Sequence, residues 1–384
     1  VPDGSLVVDR WRSHDPAARS RQSALFTNAV SSRHPDGAAA SGALSFRLLE
    51  PAIPDGHTVA VIGSDPALGA WDPDDAVPLA PDGFPWWTAG VDLDGPAANL
   101  RYKYVVIAPD GTVAWEDGDD RHLLEAPVDL VVDNGVRGLP GWRGAGVAVP
   151  VFSLRTARSI GVGQFPDLVP FLDWAADVGC SVVQLLPVND TVKHHDWGDS
   201  YPYDPVSVHA LHPLYLDIAE VADRHPVATE ALAAPVAEAR SRLEGSLEVA
   251  YESVMAEKWE LALRAFDLMV DDEIEELATF AGTEWDWLGP YAAWCVLRDR
   301  HGTPDHTTWG IDETFDQDRV DALADPSSTA QRELVFHCWL QMHLHRQLDD
   351  AVAHARSKGI AVKGDLPIGV SPTSVEVWKR PDLF

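Results

Sequence analysis

The sequence predicts a multidomain protein: a β-sandwich, then an α/β domain built on buried parallel strands with helical insertions. Three observations predict this. Residues 43–135 carry short runs rich in β-branched and aromatic residues, separated by turns and free of helical spacing. Beyond residue 147 the pattern twice becomes an amphipathic helix followed by a continuous apolar run, the mark of a strand covered on both faces. Between the N-terminal residues and the β-like region lies SSRHPDGAAASG, residues 31–42, small, polar and turn-rich, which reads as a linker.

Residues 1–30 hold short apolar pieces, Leu6-Val7-Val8 and Ala24-Leu25-Phe26, too few for a fold. The strand-like runs are Leu44–Leu49, Thr58–Ile62, Trp86–Leu93, Leu100–Ile107, Thr112–Glu116 and Val128–Val132, with Pro109-Asp110-Gly111 as a hairpin turn. After Arg137–Gly146, Phe165, Leu168, Val169, Leu172 and Ala176 fall on one helical face, and Gly179 stands where a C-terminal cap belongs. Ser181–Val188 is the first buried strand. Residues 226–300 are rich in Ala, Glu, Arg and Leu and read as helices, with Asp271–Glu276 (DDEIEE) as a solvated face. A long helix from about Ala330 to Lys358 stops at Gly359, and Ile360–Val370 is a second buried strand carrying Asp365.

Composition narrows the function. The chain has 384 residues, enough for two or three domains with real cores. Twenty-nine basic against 60 acidic residues give a net charge of −31, which repels phosphate backbones and anionic lipid. No apolar run approaches the ~20 residues of a membrane span. The chain opens Val1-Pro2-Asp3-Gly4, without a signal-peptide pattern. Cys180, Cys295 and Cys338 are far apart and form no CxxC pair, so they read as buried free thiols of a reducing compartment, and the expected location is cytoplasmic. Fifteen tryptophans are consistent with core packing and equally with stacking on the apolar faces of sugars.

In α/β sheets ligands meet the carboxyl ends of strands. Two segments qualify: Leu186–Asp190 with the polar aromatic loop Trp197-Gly198-Asp199-Ser200-Tyr201-Pro202-Tyr203, and Lys363-Gly364-Asp365-Leu366-Pro367. A carboxylate such as Asp365 at the end of an apolar strand demands hydrogen-bond donors, which sugar hydroxyls supply; for Tyr203, packing alone is an equal reading. His194-His195-Asp196 lacks a third ligand at a supporting spacing for a metal. No Gly-x-Ser-x-Gly elbow, GxGxxG or P-loop is present. In the β region Trp71, Lys103 and Trp115 offer either two core indoles or a stacking platform with one charged donor.

A family resemblance sharpens this. Val151–Arg155, Ile160–Phe165, Gln184–Thr191, Asp199–Tyr203, His212–Leu216, Trp287–Tyr291 and Lys363–Val370 fall in order on the pattern of glycoside hydrolase family 77, the 4-α-glucanotransferases or amylomaltases. Leu68–Trp71, Trp87, Tyr102–Tyr104 and Trp115–Arg121 resemble a family 20 starch-binding module. The resemblance implies this organisation: 1–30 the remnant of a preceding module, 31–42 a linker, 43–140 the starch-binding sandwich, and 147–384 the first part of a (β/α)8 TIM barrel with a helical subdomain at about 220–325. It implies a retaining transfer of α-1,4-glucosyl units from maltose or malto-oligosaccharides to a glucan acceptor, starch or glycogen. No metal, cofactor, nucleic acid or membrane is implied.

Residue by residue, the resemblance places Tyr203 and Asp365 on the donor sugar, with Asp199 and Ser200 shaping the same loop. It places Trp71, Lys103, Trp115, Glu116 and Asp120 at one starch site, with Trp87 near a second. Asp120 stands where the family often has Asn. The three catalytic carboxylates are expected beyond residue 384, so the chain alone is expected to release no glucose from maltose and to expose apolar barrel faces. An α-amylase-type hydrolase and a non-catalytic starch- or glycogen-binding protein are the alternatives.

Overall fold

The computed structural model describes residues 7–9, 44–50, 53–54, 56–81, 86–94, 97, 99–123, 130–138, 144–245 and 248–384. The chain divides into two units, Val1–Gly144 and Ala145–Phe384. The first holds β1 (Val7–Asp9), β2 (Leu44–Leu49), β3 (Thr58–Gly63), β4 (Val77–Pro78), β5 (Trp86–Val91), β6 (Arg101–Ile107), β7 (Val113–Trp115), β8 (Arg121–His122) and β9 (Leu130–Asn134). They form two sheets, ordered β1-β9-β2-β5 and β4-β3-β6-β7, with β8 on β6. Alternate residues face inward: Leu44, Phe46 and Leu48 pair across to Val91, Ala89 and Trp87, and meet Val59, Val61, Tyr102, Tyr104 and Val106 of the other sheet in one core. This is the expected sandwich. The Val7–Asp9 piece of segment 1–30 lies parallel to β9, Val7 opposite Leu130. The rest of 1–30 and the linker 31–42 lie outside the described residues.

One end of this core is ionic. Arg121 forms a salt bridge to Asp133 and donates to Glu116, while the hydroxyls of Tyr102 and Tyr104 donate to Asp133 at 2.7 and 3.1 Å. Glu116 also accepts the Arg137 side chain and backbone amide, at 3.0 and 3.1 Å. Removing one partner from such a buried set strands a charge.

The second unit is built on three parallel strands, β10 (Gly146–Val149), β11 (Val182–Leu185) and β12 (Ala361–Lys363), in that order. β10 went unread in the sequence; it pairs Val147 with Val183 on β11. Helix α1 (Leu168–Asp177) returns the chain from β10 to β11, and Gly179, at φ +81°, closes it in the left-handed conformation that a side chain resists. Between β11 and β12 run α2 (Ile218–Asp223), α3 (Pro226–Leu243), α4 (Tyr251–Phe266), α5 (Asp271–His301), α6 (Gln317–Ala324) and α7 (Gln331–Ser357). A short α8 (Val375–Lys379) follows β12. The strands are shorter than the apolar runs, because Leu186–Val188 and Gly364–Val370 leave the sheet as loops. Leu366 and Ile368 are 83% and 97% exposed.

The acidic run opening α5 is not all solvated. Glu273 turns inward, where Trp339 Nε1 donates to it at 2.6 Å and His343 Nε2 lies 2.7 Å away. The run starts a helix, so its charges meet the positive end of the backbone dipole. Cys295 and Cys338 are buried, whereas Cys180 is only half-buried.

Candidate functional site

On the first unit the outer face of the β3–β6–β7 sheet carries the candidate residues. Cross-strand partners share a face, so the pairs Ile62–Lys103, Ala60–Val105 and Val105–Trp115 put Lys103 and Trp115 on one surface. Trp71 packs against the Ala60, Ile62 and Val105 patch of that surface. It sits at the end of a strained turn: Gly69, Ala70 and Trp71 have φ of +76°, +45° and +71°. A Cβ at Gly69 would meet the Asp75 carbonyl oxygen at 2.7 Å, so only glycine fits there. Asp65 caps the turn, accepting from Ala67 N at 2.9 Å. Trp115 is 42% exposed. Lys103 Nζ reaches the Glu116 carbonyl oxygen at 3.2 Å.

The other expected residues of this unit lie elsewhere. Glu116 is buried, its carboxylate committed to Arg121 and Arg137, and it serves the ionic cluster instead of a ligand. Asp120 accepts from Arg101 Nε at 2.9 Å. Trp87 is 2% exposed and donates its indole N–H to the Glu50 carbonyl oxygen at 2.8 Å. It is a core residue with no open face, which corrects its placement near a second sugar site. Its neighbour Trp86 points outward, half-buried beneath Arg47, whose guanidinium carbon lies 4.3 Å from the ring centroid.

On the second unit, the loops leaving β11 and β12 bring Tyr203 and Asp365 together: the Tyr203 hydroxyl donates to Asp365 Oδ2 at 3.0 Å. That bond holds the phenol proton and raises the Tyr203 pKa above its ordinary value. Asp199 and Ser200 take different parts. Asp199 is buried and accepts the backbone amides of His194 and His195, at 3.0 and 2.7 Å, so it shapes the loop from inside. Ser200 lines a cleft of about 240 Å³ with Trp197, Pro202, His212, Tyr215 and Tyr251. Trp197 and Tyr201, each 60% exposed, belong to the loop that the sequence singles out, where the sequence reading assigns them no role of their own.

The loop is fastened to α5 beneath. The Tyr291 hydroxyl donates to Asp190 at 2.7 Å, and Arg298 Nη1 donates to the Val192 carbonyl oxygen at 2.5 Å. Burial pushes the Asp190 carboxyl up to about 6 against the pull of Tyr291 and the Val192 amide. Burial also pulls His212 down to about 4, so it is neutral, with its ring 3.1 Å from the Tyr251 hydroxyl. His195 Nε2 lies 3.2 Å from Asp299. Among the described residues no group of three or more His, Cys, Asp or Glu side chains is arranged to hold a metal ion.

A β-sandwich with an outward aromatic pair and an α/β unit with a polar cluster at the ends of its parallel strands make this a modular protein of two unlike parts. The chain belongs to the 4-alpha-glucanotransferase family, glycoside hydrolase family 77, whose family model matches residues 149–384. Residues 43–128 match the starch binding domain, family 20. The rice (Oryza sativa subsp. japonica) 4-alpha-glucanotransferase DPE2 is 40% identical over 346 residues, covering 87% of this chain and 36% of its own. A 4-alpha-glucanotransferase of Thermus thermophilus is 30% identical over 218 residues, 56% of this chain and 40% of that one. The amylomaltase of Streptococcus agalactiae, solved in complex with acarbose, aligns with a TM-score of 0.53 at 21% identity, over 63% of this chain and 47% of that one, a likeness of fold. The chain thus spans 36%, 40% and 47% of the length of these three proteins.

Proposed function

We propose that this chain is the glucan-gripping part of a 4-α-glucanotransferase. The three parallel strands are read as the opening strands of a (β/α)8 barrel, and residues 218–324 as its inserted helical subdomain. The enzyme would move α-1,4-glucosyl units from maltose or malto-oligosaccharides to a glucan acceptor by a retaining double displacement. The observation that carries this is the Tyr203–Asp365 pair at the strand ends, in a chain of this family. Asp365 keeps an oxygen free to accept sugar hydroxyls, and the tethered phenol offers a flat face to the same glucose unit. No residue of this chain is assigned as nucleophile or acid.

Trp71 and Trp115 are read as the module's starch platform, with Lys103 as its polar donor. Glu116 and Asp120 support that surface through Arg121, Arg137 and Arg101. The three free cysteines support a reducing, cytoplasmic setting. The test is a pair of binding measurements. Trp71→Ala with Trp115→Ala is expected to abolish retention on granular starch, and Asp365→Asn to weaken calorimetric binding of maltotriose in that double variant. Starch retention unchanged by the first, or maltotriose affinity unchanged by the second, sinks the corresponding half of the proposal.

A further inference from the structure

Tyr203 and Asp365 sit on two long loops, and a hydrogen bond at a half-exposed position does not by itself hold two loops in register. A set of contacts a few residues away does. Glu376, in the first turn of α8, sends one carboxylate oxygen to the loop that carries Tyr203: Oε1 accepts the Ser207 hydroxyl at 3.1 Å and the Val208 amide at 2.9 Å. Beside it the Val375 amide donates to the Val206 carbonyl oxygen at 2.8 Å. From the other side Lys193 Nζ bridges the two segments, donating to Ser371 Oγ at 2.8 Å and pairing with Asp204 at 2.5 Å. Ser371, Ser374 and Ser207 are buried while Glu376 is half-buried and Asp204 exposed, so the joints are anchored on the inside, and Ser374 caps α8 by accepting from Val377 N. Asp204 is the residue next to Tyr203, and Ser371 lies six residues past Asp365.

We propose that Glu376, with Lys193, is a positioning residue for the donor-sugar pair. By stitching the segment after β12 to the loop after β11, it sets the spacing of Tyr203 and Asp365 before sugar arrives. This rests on the reading of that pair as the sugar grip. Glu376 itself touches no sugar. Its effect is pre-organisation: without the stitch, each glucan bound must also order the two loops.

The test is a double-mutant cycle on maltotriose affinity, measured by calorimetry on the full chain carrying Trp71→Ala and Trp115→Ala. Glu376→Ala is expected to weaken binding about tenfold, a usual size for coupling between sites. Glu376→Gln, which keeps an acceptor oxygen, should restore most of it. In a Tyr203→Phe background, where the Tyr203–Asp365 bond is already gone, Glu376→Ala should change affinity less than about twofold. Lys193→Met should behave as Glu376→Ala does. An equal loss from Glu376→Ala in both backgrounds overturns the proposal, as does failure of Gln to rescue in a variant whose melting temperature matches the parent. If Tyr203→Phe alone leaves affinity untouched, the sugar-grip reading fails instead, and the two failures are told apart.

Discussion

Lys258 on α4 is buried, its side-chain nitrogen bonded to the Gln164 side-chain oxygen at 2.7 Å and the Leu216 carbonyl oxygen at 2.6 Å. Burial pulls its pKa down from 10.5 to about 7, against the opposing pull of Asp217 and Asp167. The sign follows from proton counts. Between pH 7 and 10.5 the unfolded chain holds this proton and the folded chain releases it, so stability rises with pH across that window. From pH 7 to 9 the folded lysine averages little proton and the unfolded one nearly a full proton, a mean difference of about 0.85, so the gain is about 2 kcal/mol at about 1.4 kcal/mol per pH unit. The perturbation is Lys258→Met, which keeps the stem and removes the titration. Urea unfolding followed by circular dichroism at 222 nm reports the helical unit, since no α-helix occurs among the described residues of the first. The stability of the parent relative to K258M should climb by about 2 kcal/mol from pH 7 to pH 9. A flat difference refutes the claim that this ammonium is held charged at a desolvation cost.

Asp190 should show the opposite sign: its folded pKa of about 6 lies above its ordinary 3.8, so parent stability relative to Asp190→Asn should fall by about 2 kcal/mol between pH 4 and pH 7, read in the same assay. Trp87→Ala removes a fully packed indole and should cost about 3–5 kcal/mol of unit stability. In urea titrations of the first unit, a loss below 1 kcal/mol would restore Trp87 to the surface. Arg121→Met leaves Glu116 to Arg137 and Asp133 to the Tyr102 and Tyr104 hydroxyls, but removes the cation that the two buried carboxylates share, and about 3–5 kcal/mol is expected to go with it. Near-wild-type unfolding of that variant would show the carboxylates to be solvated.

The sandwich was legible because burial on one face writes a period of two into the chain: β2 emerges at the expected Leu44–Leu49. The same rule could have separated the two tryptophans of β5. Trp87, Ala89 and Val91 share the inner face, and Val91 is the clue, since it is apolar two steps beyond Ala89. The resemblance pointed at Trp87, and the pleat points at its neighbour. β10 escaped because Gly146–Val149 is four residues long and follows a Gly-rich stretch, too short for periodicity. Tyr203 and Asp365 were legible as strand-end polar residues, but their bond joins positions 162 residues apart, and no local pattern carries such a distance. Glu116 shows the limit from the other side: a carboxylate beside a tryptophan looks like a ligand until tertiary packing closes two arginines over it.

The left-handed run through Gly69, Ala70 and Trp71 also bears on binding. The backbone there is set before any ligand arrives, and the ring it carries is packed on Ala60, Ile62 and Val105, so a sugar stacking on it would have little ordering left to impose. If the proposed starch platform holds, this turn is what would present its ring to a granule surface.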